Sequence, residues 1–393
     1  MSEYRANTYA SQKRSLKVIR RVADIQELSR EDVEKLQPVS EKFEFRVSEY
    51  YAKLIDWKNP DDPLRRIILP QVDELESDLD FDASHERDNT VVHGLQHKYS
   101  TTALLLVNDV CAAYCRFCFR KRFTLSTSKE SHIIPSHQQN RYEKETAFDV
   151  QEGLEYIIQH PEINNVLLTG GDPLMLSITR LEPILQSLRE IPHIKTIRIG
   201  SKVPAFDPER LNDRMLDMLA SYSTPHQRIY LIVHFNHQRE LTAVARERID
   251  AMLRRGLILC NQTPLLKGVN DTVDELVALF SRLAESGVAP YYLFQCRPII
   301  GNDRYQLSLQ EGLHLVNATR ARLNGLAKRF RYVGSHATGK IEIIGRMGDS
   351  LILRYHEAKC LADEDRLLEW PFHQSVYWFD DILQENPTSL SRL

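Results

Sequence analysis

Nowhere in these 393 residues does an uncharged run approach the ~18 that a membrane-spanning helix needs. The opening MSEYRANTYASQKRSLKVIRR carries basic side chains but no apolar stretch of signal-peptide length, so the sequence predicts a cytoplasmic protein that does not engage a membrane. Charge of one sign is also missing. The 51 Lys and Arg against 54 Asp and Glu leave a net charge of −3, which gives no electrostatic footprint for nucleic acid and points to a small-molecule or protein substrate. Cysteine is sparse, at six, and three of the six crowd between positions 111 and 118. That distribution suits a reducing compartment and a metal site better than a disulfide framework. Cys260, Cys296 and Cys360 stand apart and read as small buried hydrophobes. No internal repeat or long low-complexity segment is visible.

The chain exceeds one average domain, yet α/β barrels commonly run to about 250 residues as a single unit, so one barrel with terminal additions is expected. Residues 1–95 read as a helical N-terminal extension. They are charge-rich and interrupted by Pro60, Pro63 and Pro70, with helical stretches at Ser29–Leu36 and Glu41–Leu54. From about 96 to 330 short β-branched or leucine-rich runs alternate with amphipathic helices. Strands are predicted near 103–107, 165–168, 194–199, 229–235, 257–260 and 290–295. The helices between them show core spacing, as in Val150, Leu154, Ile157 and Ile158, or Leu241, Val244, Ala245, Ile249 and Met252.

Six βα units in series demand a parallel sheet with right-handed crossovers, either an open three-quarter barrel or a doubly wound sheet. The barrel is favoured because the unusual residues fall just past the C-terminal ends of many strands, where barrel enzymes build their sites. A doubly wound sheet would concentrate them at one switch point. The cysteines follow strand one, Gly170-Gly171-Asp172 strand two, and Ser201 closes strand three. His234, Asn236 and His237 lie at the end of strand four, Gln262 at strand five and Arg297 at strand six. The fold class is therefore α/β, an incomplete (β/α)6 TIM-like barrel with a short C-terminal extension over 331–393. That extension holds the small-residue run GSHATGK (Gly334–Lys340) and a strand-like pair at 340–345 and 351–355. The Ser-, His- and Gln-rich stretch 124–146 reads as an inserted surface loop.

Cys111, Cys115 and Cys118 supply three thiolates at spacings of four and three. Thiolates are what iron–sulfur clusters require, and four irons with three protein ligands leave one iron open to another molecule. A structural zinc site would need a closed set of four, and no fourth Cys or His stands at zinc spacing. A non-catalytic metal-binding protein is the alternative from a different class. Gly170 and Gly171 would allow close backbone approach to a ligand, with Asp172 and backbone carbonyls to receive an ammonium; a plain βα turn is the bland alternative. Ser201, His234, Asn236 and Gln262 are candidates to line a cofactor site, although a histidine bonded to backbone in the core is as common.

The CxxxCxxC spacing resembles that of the radical S-adenosylmethionine (SAM) superfamily. Within it, CAAYCRFCFRKRF (111–123), LLTGGDPL (167–174), RIGS (198–201), HFNH (234–237), NQTPLLKGVND (261–271) and PYYLFQC (290–296) resemble the lysine 2,3-aminomutase family in matching order. The stretch 52–70 is similar as well, and the likeness runs from about residue 20 to 345. The resemblance implies a 4Fe-4S cluster whose open iron binds SAM, an electron that cleaves SAM to a 5′-deoxyadenosyl radical, and hydrogen removal from an unactivated carbon. It further implies a shift of an amino group from Cα to Cβ of a small-molecule amino acid. Pyridoxal 5′-phosphate (PLP) would be held at rest by Lys340, and Arg120 would grip the substrate carboxylate. An electron donor such as flavodoxin or ferredoxin and a homo-oligomeric assembly are expected with it.

Several positions depart from the family pattern. Arg297 and Val333 stand where lysine-specific members hold the distal ammonium with two aspartates, so lysine is disfavoured and a glutamate-like side chain suits Arg297 better. Lys98 and Thr102 replace two arginines that hold the PLP phosphate, and the cysteine-rich zinc-binding C-terminus is reduced to Cys360. A radical SAM enzyme on the same scaffold without PLP is therefore the nearer alternative, and Lys340 divides the two.

Overall fold

In the computed structural model, which describes residues 17–82, 85–124 and 149–387, the first helix begins on a local signal. Ser29 accepts from the Asp32 amide while Asp32 reaches back, a reciprocal capping box that starts α1 (Arg30–Lys42). The helix stops where Phe43, Phe45 and Val47 bury on alternate positions, the period of extended chain. There β1 (Val18–Ile19) pairs with β2 (Val47–Ser48). The helix expected over Glu41–Leu54 is therefore corrected to the last turn of α1, an extended link and the short α2 (Glu49–Ala52). Asp62 then caps α3 (Pro63–Ile68), with Pro63 at its first position.

This N-terminal segment shares its core with the cysteine loop. Val22, Leu36, Phe45, Tyr51, Leu64 and Ile67 pack with Ala112, Ala113 and Phe117. Backbone bonds join the same parts, Tyr114 N–H to Arg46 C=O and Arg116 N–H to Ile67 C=O. The segment is thus a brace on that loop.

One twelve-stranded sheet forms the rest of the described residues. Two antiparallel strands, β3 (Thr90–Val92) and β4 (Leu95–Tyr99), make one edge. Parallel pairing then runs through β5 (Thr102–Asn108), β6 (Asn165–Gly170), β7 (Thr196–Ser201), β8 (Arg228–Val233), β9 (Ile258–Leu265) and β10 (Ala289–Gln295). These agree with the six expected strands to within a few residues. The helices that follow them include α4 (Gln151–Gln159), α5 (Ile178–Glu190), α6 (Val203–Phe206), α7 (Asp213–Ser221), α8 (Ala243–Arg254) and α9 (Val273–Glu285).

The parallel sheet does not end at six. After α10 (Leu309–Arg322), β11 (Arg331–His336) pairs in parallel with β10. It then leads antiparallel into β12 (Gly339–Met347), β13 (Ser350–Ala358) and β14 (Leu367–Pro371). The segment from 331, expected as a C-terminal extension, continues the sheet. Its RYVGSH sequence lacks the aliphatic run that marks the other strands, which hid it.

Strand pleating sorts the side chains. Val166, Leu168, Ile197, Ile199, Ile229 and Leu231 pack outward in the main core with helix residues such as Leu181, Leu216 and Ile249. The alternate set, including Leu104, Leu167, Arg198, Ile232 and Gln262, lines one cavity with Tyr99 of β4 and Ser335 of β11. A sheet whose same face meets itself across eight strands is curled, as an incomplete barrel requires.

Candidate active site

The cavity encloses about 380 Å³, within the range of small-ligand sites. Cys111, Cys115 and Cys118 all line it, on the loop after β5. Burial raises all three thiols, Cys115 to about 12, so only a bound metal would hold them as thiolates at neutral pH. Among the described residues no three Cys, His, Asp or Glu side chains stand close enough to share one metal ion. A cubane asks for a different arrangement, with each sulfur on its own iron.

The loop is pinned by charge. Arg116 and Lys121 both pair at 2.6 Å with Glu74, and Arg120 (2.8 Å) and Arg122 (2.5 Å) both pair with Glu86. All six side chains are at most 8% exposed. Glu74 and Glu86 come from the N-terminal brace, and their role was invisible in the sequence because each lies more than 30 positions from its partners.

Gly170 and Gly171 also line the cavity, but their missing side chains serve the loop. A Cβ on Gly170, at φ +115°, would meet the Asn108 carbonyl oxygen at 2.3 Å, and one on Gly171 would meet Asp109 and Val110 backbone at 2.6 Å. Only glycine lets the end of β6 lie against the start of the cysteine loop. Asp172 lines the cavity with both of its carboxylate oxygens engaged. One carboxylate oxygen accepts from Leu174 N–H, and the other accepts from Ser201 Oγ and the amides of Lys202 and Val203. Asp172 thus fastens β6 to the start of α6, and Ser201 supports it.

Lys202, which sequence reasoning passed over, donates to His234 C=O and Glu240 Oε1 at 2.9 Å and to Asn236 Oδ1. Asn236 also donates to Thr263 Oγ1 at 2.9 Å and is fully buried in this network, which corrects its expected place on the cofactor wall. His237 caps the next turn and faces Glu275 at 3.5 Å, the structural alternative. His234 does line the cavity, edge-on to Phe117. Burial, reinforced by Lys202, drives its pKa well below the usual value, so the imidazole is neutral. Gln262 joins it on the wall.

Arg120 turns Nε and Nη2 to Glu86 and donates from Nη1 to Thr169 Oγ1 at 2.8 Å, on the cavity wall. Its guanidinium lies 4.7 Å from the Phe119 ring centre, and that of Arg297 lies 4.6 Å from the same ring. Arg297 donates to Ser335 C=O at 2.9 Å. Burial lowers its pKa to about 10, so it stays a cation at neutral pH. Val333 is fully buried within β11.

Lys340 enters the same cavity from the start of β12. Its Nζ is 2.5 Å from Glu357 Oε2 and lies 4.6 Å and 5.5 Å from the ring centres of Tyr292 and Tyr99. Burial lowers its pKa and Glu357 opposes that. Lys98 is set beside it, donating to His336 C=O. Burial, then Arg297 and Lys340, lower Lys98 to about 7. Arg198, on the floor of the cavity, donates to Asn165 Oδ1 at 3.0 Å, and Asn165 in turn donates to Thr102 at 3.2 Å. Aromatic walls, a buried lysine and a nearby cation fit a planar phosphorylated aldehyde such as PLP. The surface loop expected at 124–146 lies, beyond Thr124, outside the described residues.

Residues 105–280 match the Radical SAM superfamily. Over 384 residues the chain is 46% identical to a protein of Aquifex aeolicus (strain VF5) provisionally named L-lysine 2,3-aminomutase, covering 96% of this chain and 99% of that one. It is 34% identical to the L-lysine 2,3-aminomutase of Fusobacterium nucleatum over 77% of this chain and 67% of that relative. It is 30% identical to the glutamate 2,3-aminomutase of Clostridioides difficile (strain 630) over 86% of this chain and 78% of that one.

Proposed function

This chain belongs to the lysine 2,3-aminomutase family of radical SAM enzymes, and from that premise we propose that it shifts the amino group of an acidic α-amino acid from Cα to Cβ. The observation that carries this reading is that three thiols, Lys340, Arg120 and Arg297 line one cavity. When bound, the cluster with SAM supplies hydrogen-atom removal from an unactivated carbon, and PLP supplies the conjugation through which nitrogen migrates.

The chain's own residues do the positioning. Cys111, Cys115 and Cys118 would hold the cluster, and Gly170 and Gly171 line the part of the cavity beside them where SAM would bind. Neutral His234 and Gln262 would line the nucleoside site. Lys340 would hold PLP, and Arg198 would supply phosphate charge that Thr102 cannot. Arg120 meets the substrate α-carboxylate with the guanidinium edge that Glu86 leaves toward Thr169. The apolar walls exclude water from the reacting carbon. The electron comes from a flavodoxin- or ferredoxin-like donor.

Substrate choice rests on charge. Of the carboxylates that line the cavity, Asp172 is engaged by four donors and Glu357 pairs with Lys340, while Asp109 sits at the start of the cysteine loop. A lysine side chain would bring its ammonium toward Arg297, where like charges repel. A glutamate-like carboxylate is attracted there instead.

One observation favours a second reading, an enzyme of this scaffold without PLP: Lys98 turns to the His336 carbonyl and Thr102 carries no charge. Borohydride reduction of the PLP-reconstituted chain separates the two. PLP fixed to the Lys340 peptide supports the first, and its absence supports the second. Replacing Arg297 by Asp is expected to move turnover from glutamate toward lysine; unchanged preference contradicts the assignment.

A further inference from the structure

We propose that Glu357 is the positioning residue that takes and returns the proton of Lys340, setting the pH at which that amine is nucleophilic. The proposal rests on the reading of Lys340 as the PLP lysine. Its starting point is strand register. Lys340 and Glu357 are direct cross-strand partners of β12 and β13, but the next pair is Ile341 with Tyr355, so His356 is an extra residue on β13. Along β13, Leu351, Leu353 and Tyr355 face the core. Strict alternation would send Glu357 there too.

The bulge at His356 turns Glu357 to the cavity, the re-aiming that bulges provide beside functional sites. His356 is held aside by Tyr292, whose hydroxyl lies 2.7 Å from its Nε2. Gly339 closes the arrangement. A Cβ there would meet the Glu357 carbonyl oxygen at 2.5 Å, so a larger residue would push the strands apart where the pair forms.

A lysine adds to an aldehyde only as the neutral amine. Here the proton moves from Lys340 Nζ to Glu357 Oε2 across 2.5 Å, leaving a neutral amine and a neutral carboxylic acid. The two hydrogens of the neutral amine then leave with the aldehyde oxygen as water, and when water or an incoming amine releases the lysine, the same carboxyl returns its proton. The other groups around Nζ explain why the pair is balanced. Tyr99 and Tyr292 present ring faces, Glu364 adds negative charge, and Arg198 opposes the ammonium. Lys98 also feels the charge of Lys340 and opposes it, while His356, lowered by burial, is neutral. Burial and these cations push the amine down while Glu357 holds it up.

The test uses the full chain with PLP and sodium borohydride, without SAM or reductant, and reads labelled Lys340 peptide by mass spectrometry across pH. In wild type, labelling rises with pH to a plateau. In Glu357→Gln the midpoint should fall by about one pH unit, a tenfold change in proton concentration, because the group that holds the ammonium is gone. In Glu357→Asp it should stay nearer wild type. Identical midpoints in wild type and Glu357→Gln overturn the proposal. Absence of label on Lys340 in wild type instead overturns the PLP reading beneath it. Should Glu357→Gln fail to fold, Glu357→Ala decides: a lowered midpoint supports the proposal and an unchanged one refutes it.

Discussion

The cysteine loop and the Lys340 hairpin line one cavity, yet they are held in opposite ways. Four cations of the loop are matched to two carboxylates, each bridging two partners, with every group nearly sealed from water. Lys340 has one carboxylate partner, and Glu357 is 37% exposed. Buried ion pairs add little net stability relative to an apolar core, but losing one member leaves a stranded charge. Such pairs suit a loop that must present three sulfurs at fixed spacing. A single adjustable pair would suit a lysine that, as proposed above, releases a cofactor and takes it back.

The comparison breaks first at Glu74. Replacement by Gln strands Arg116 and Lys121, whose side chains are 2% and 1% exposed, and should cost about 3–5 kcal/mol in denaturant unfolding. Iron uptake on reconstitution should fall with it. A cost below about 1 kcal/mol would show that the brace is not what fixes the loop.

Acid sharpens the contrast at Glu86. Burial alone would raise this carboxyl, but Arg120 and Arg122 overcome it and hold it at about 2 instead of 4.5. A depressed carboxyl contributes stability above its unfolded value and loses it as pH falls through its folded one. The contribution is about 3 kcal/mol, present at neutral pH and lost progressively between about pH 4.5 and 2. Unfolding of wild type and Glu86→Gln at stepped pH should therefore show a gap that narrows toward acid. A gap that stays constant with pH contradicts the assignment.

Gly171→Ala tests the loop by sterics. Its Cβ would press on backbone at 2.6 Å, which has no flexible side chain to give way, for a cost of about 1–3 kcal/mol. Displaced cysteines should show as lower iron per chain after anaerobic reconstitution. The smallest effect is expected on the other side of the comparison. Glu357→Gln should change unfolding stability by no more than about 1 kcal/mol, because the pair is partly solvated and the amine can shed its proton. A loss as large as that of Glu74→Gln would make the two regions alike.

How much of this was legible in the sequence follows from range. The six parallel strands and the residues at their ends were readable because period-two burial and strand-end placement are local patterns. The β11 strand was not, since its Gly, Ser and His carry no aliphatic signal and its place depends on pairing with β10. Asp172 was recognised as a site residue, but its bonds to the Lys202 and Val203 amides were not legible because they lie some 30 residues away. Glu86 and Glu357 were missed for the same reason. One is brought to Arg120 only by the fold, and the other faces the cavity only because a bulge breaks its strand's alternation.

The central claim is that one curled sheet brings the cysteine loop and Lys340 to a single amino acid whose side chain Arg297 selects. Its most direct test is product analysis by mass spectrometry, with the reconstituted chain, SAM, PLP and a reductant under strict anaerobiosis and glutamate or lysine as substrate. The account predicts 5′-deoxyadenosine together with β-glutamate, and little β-lysine. β-Lysine as the main product, or 5′-deoxyadenosine with no β-amino acid from either, would contradict it.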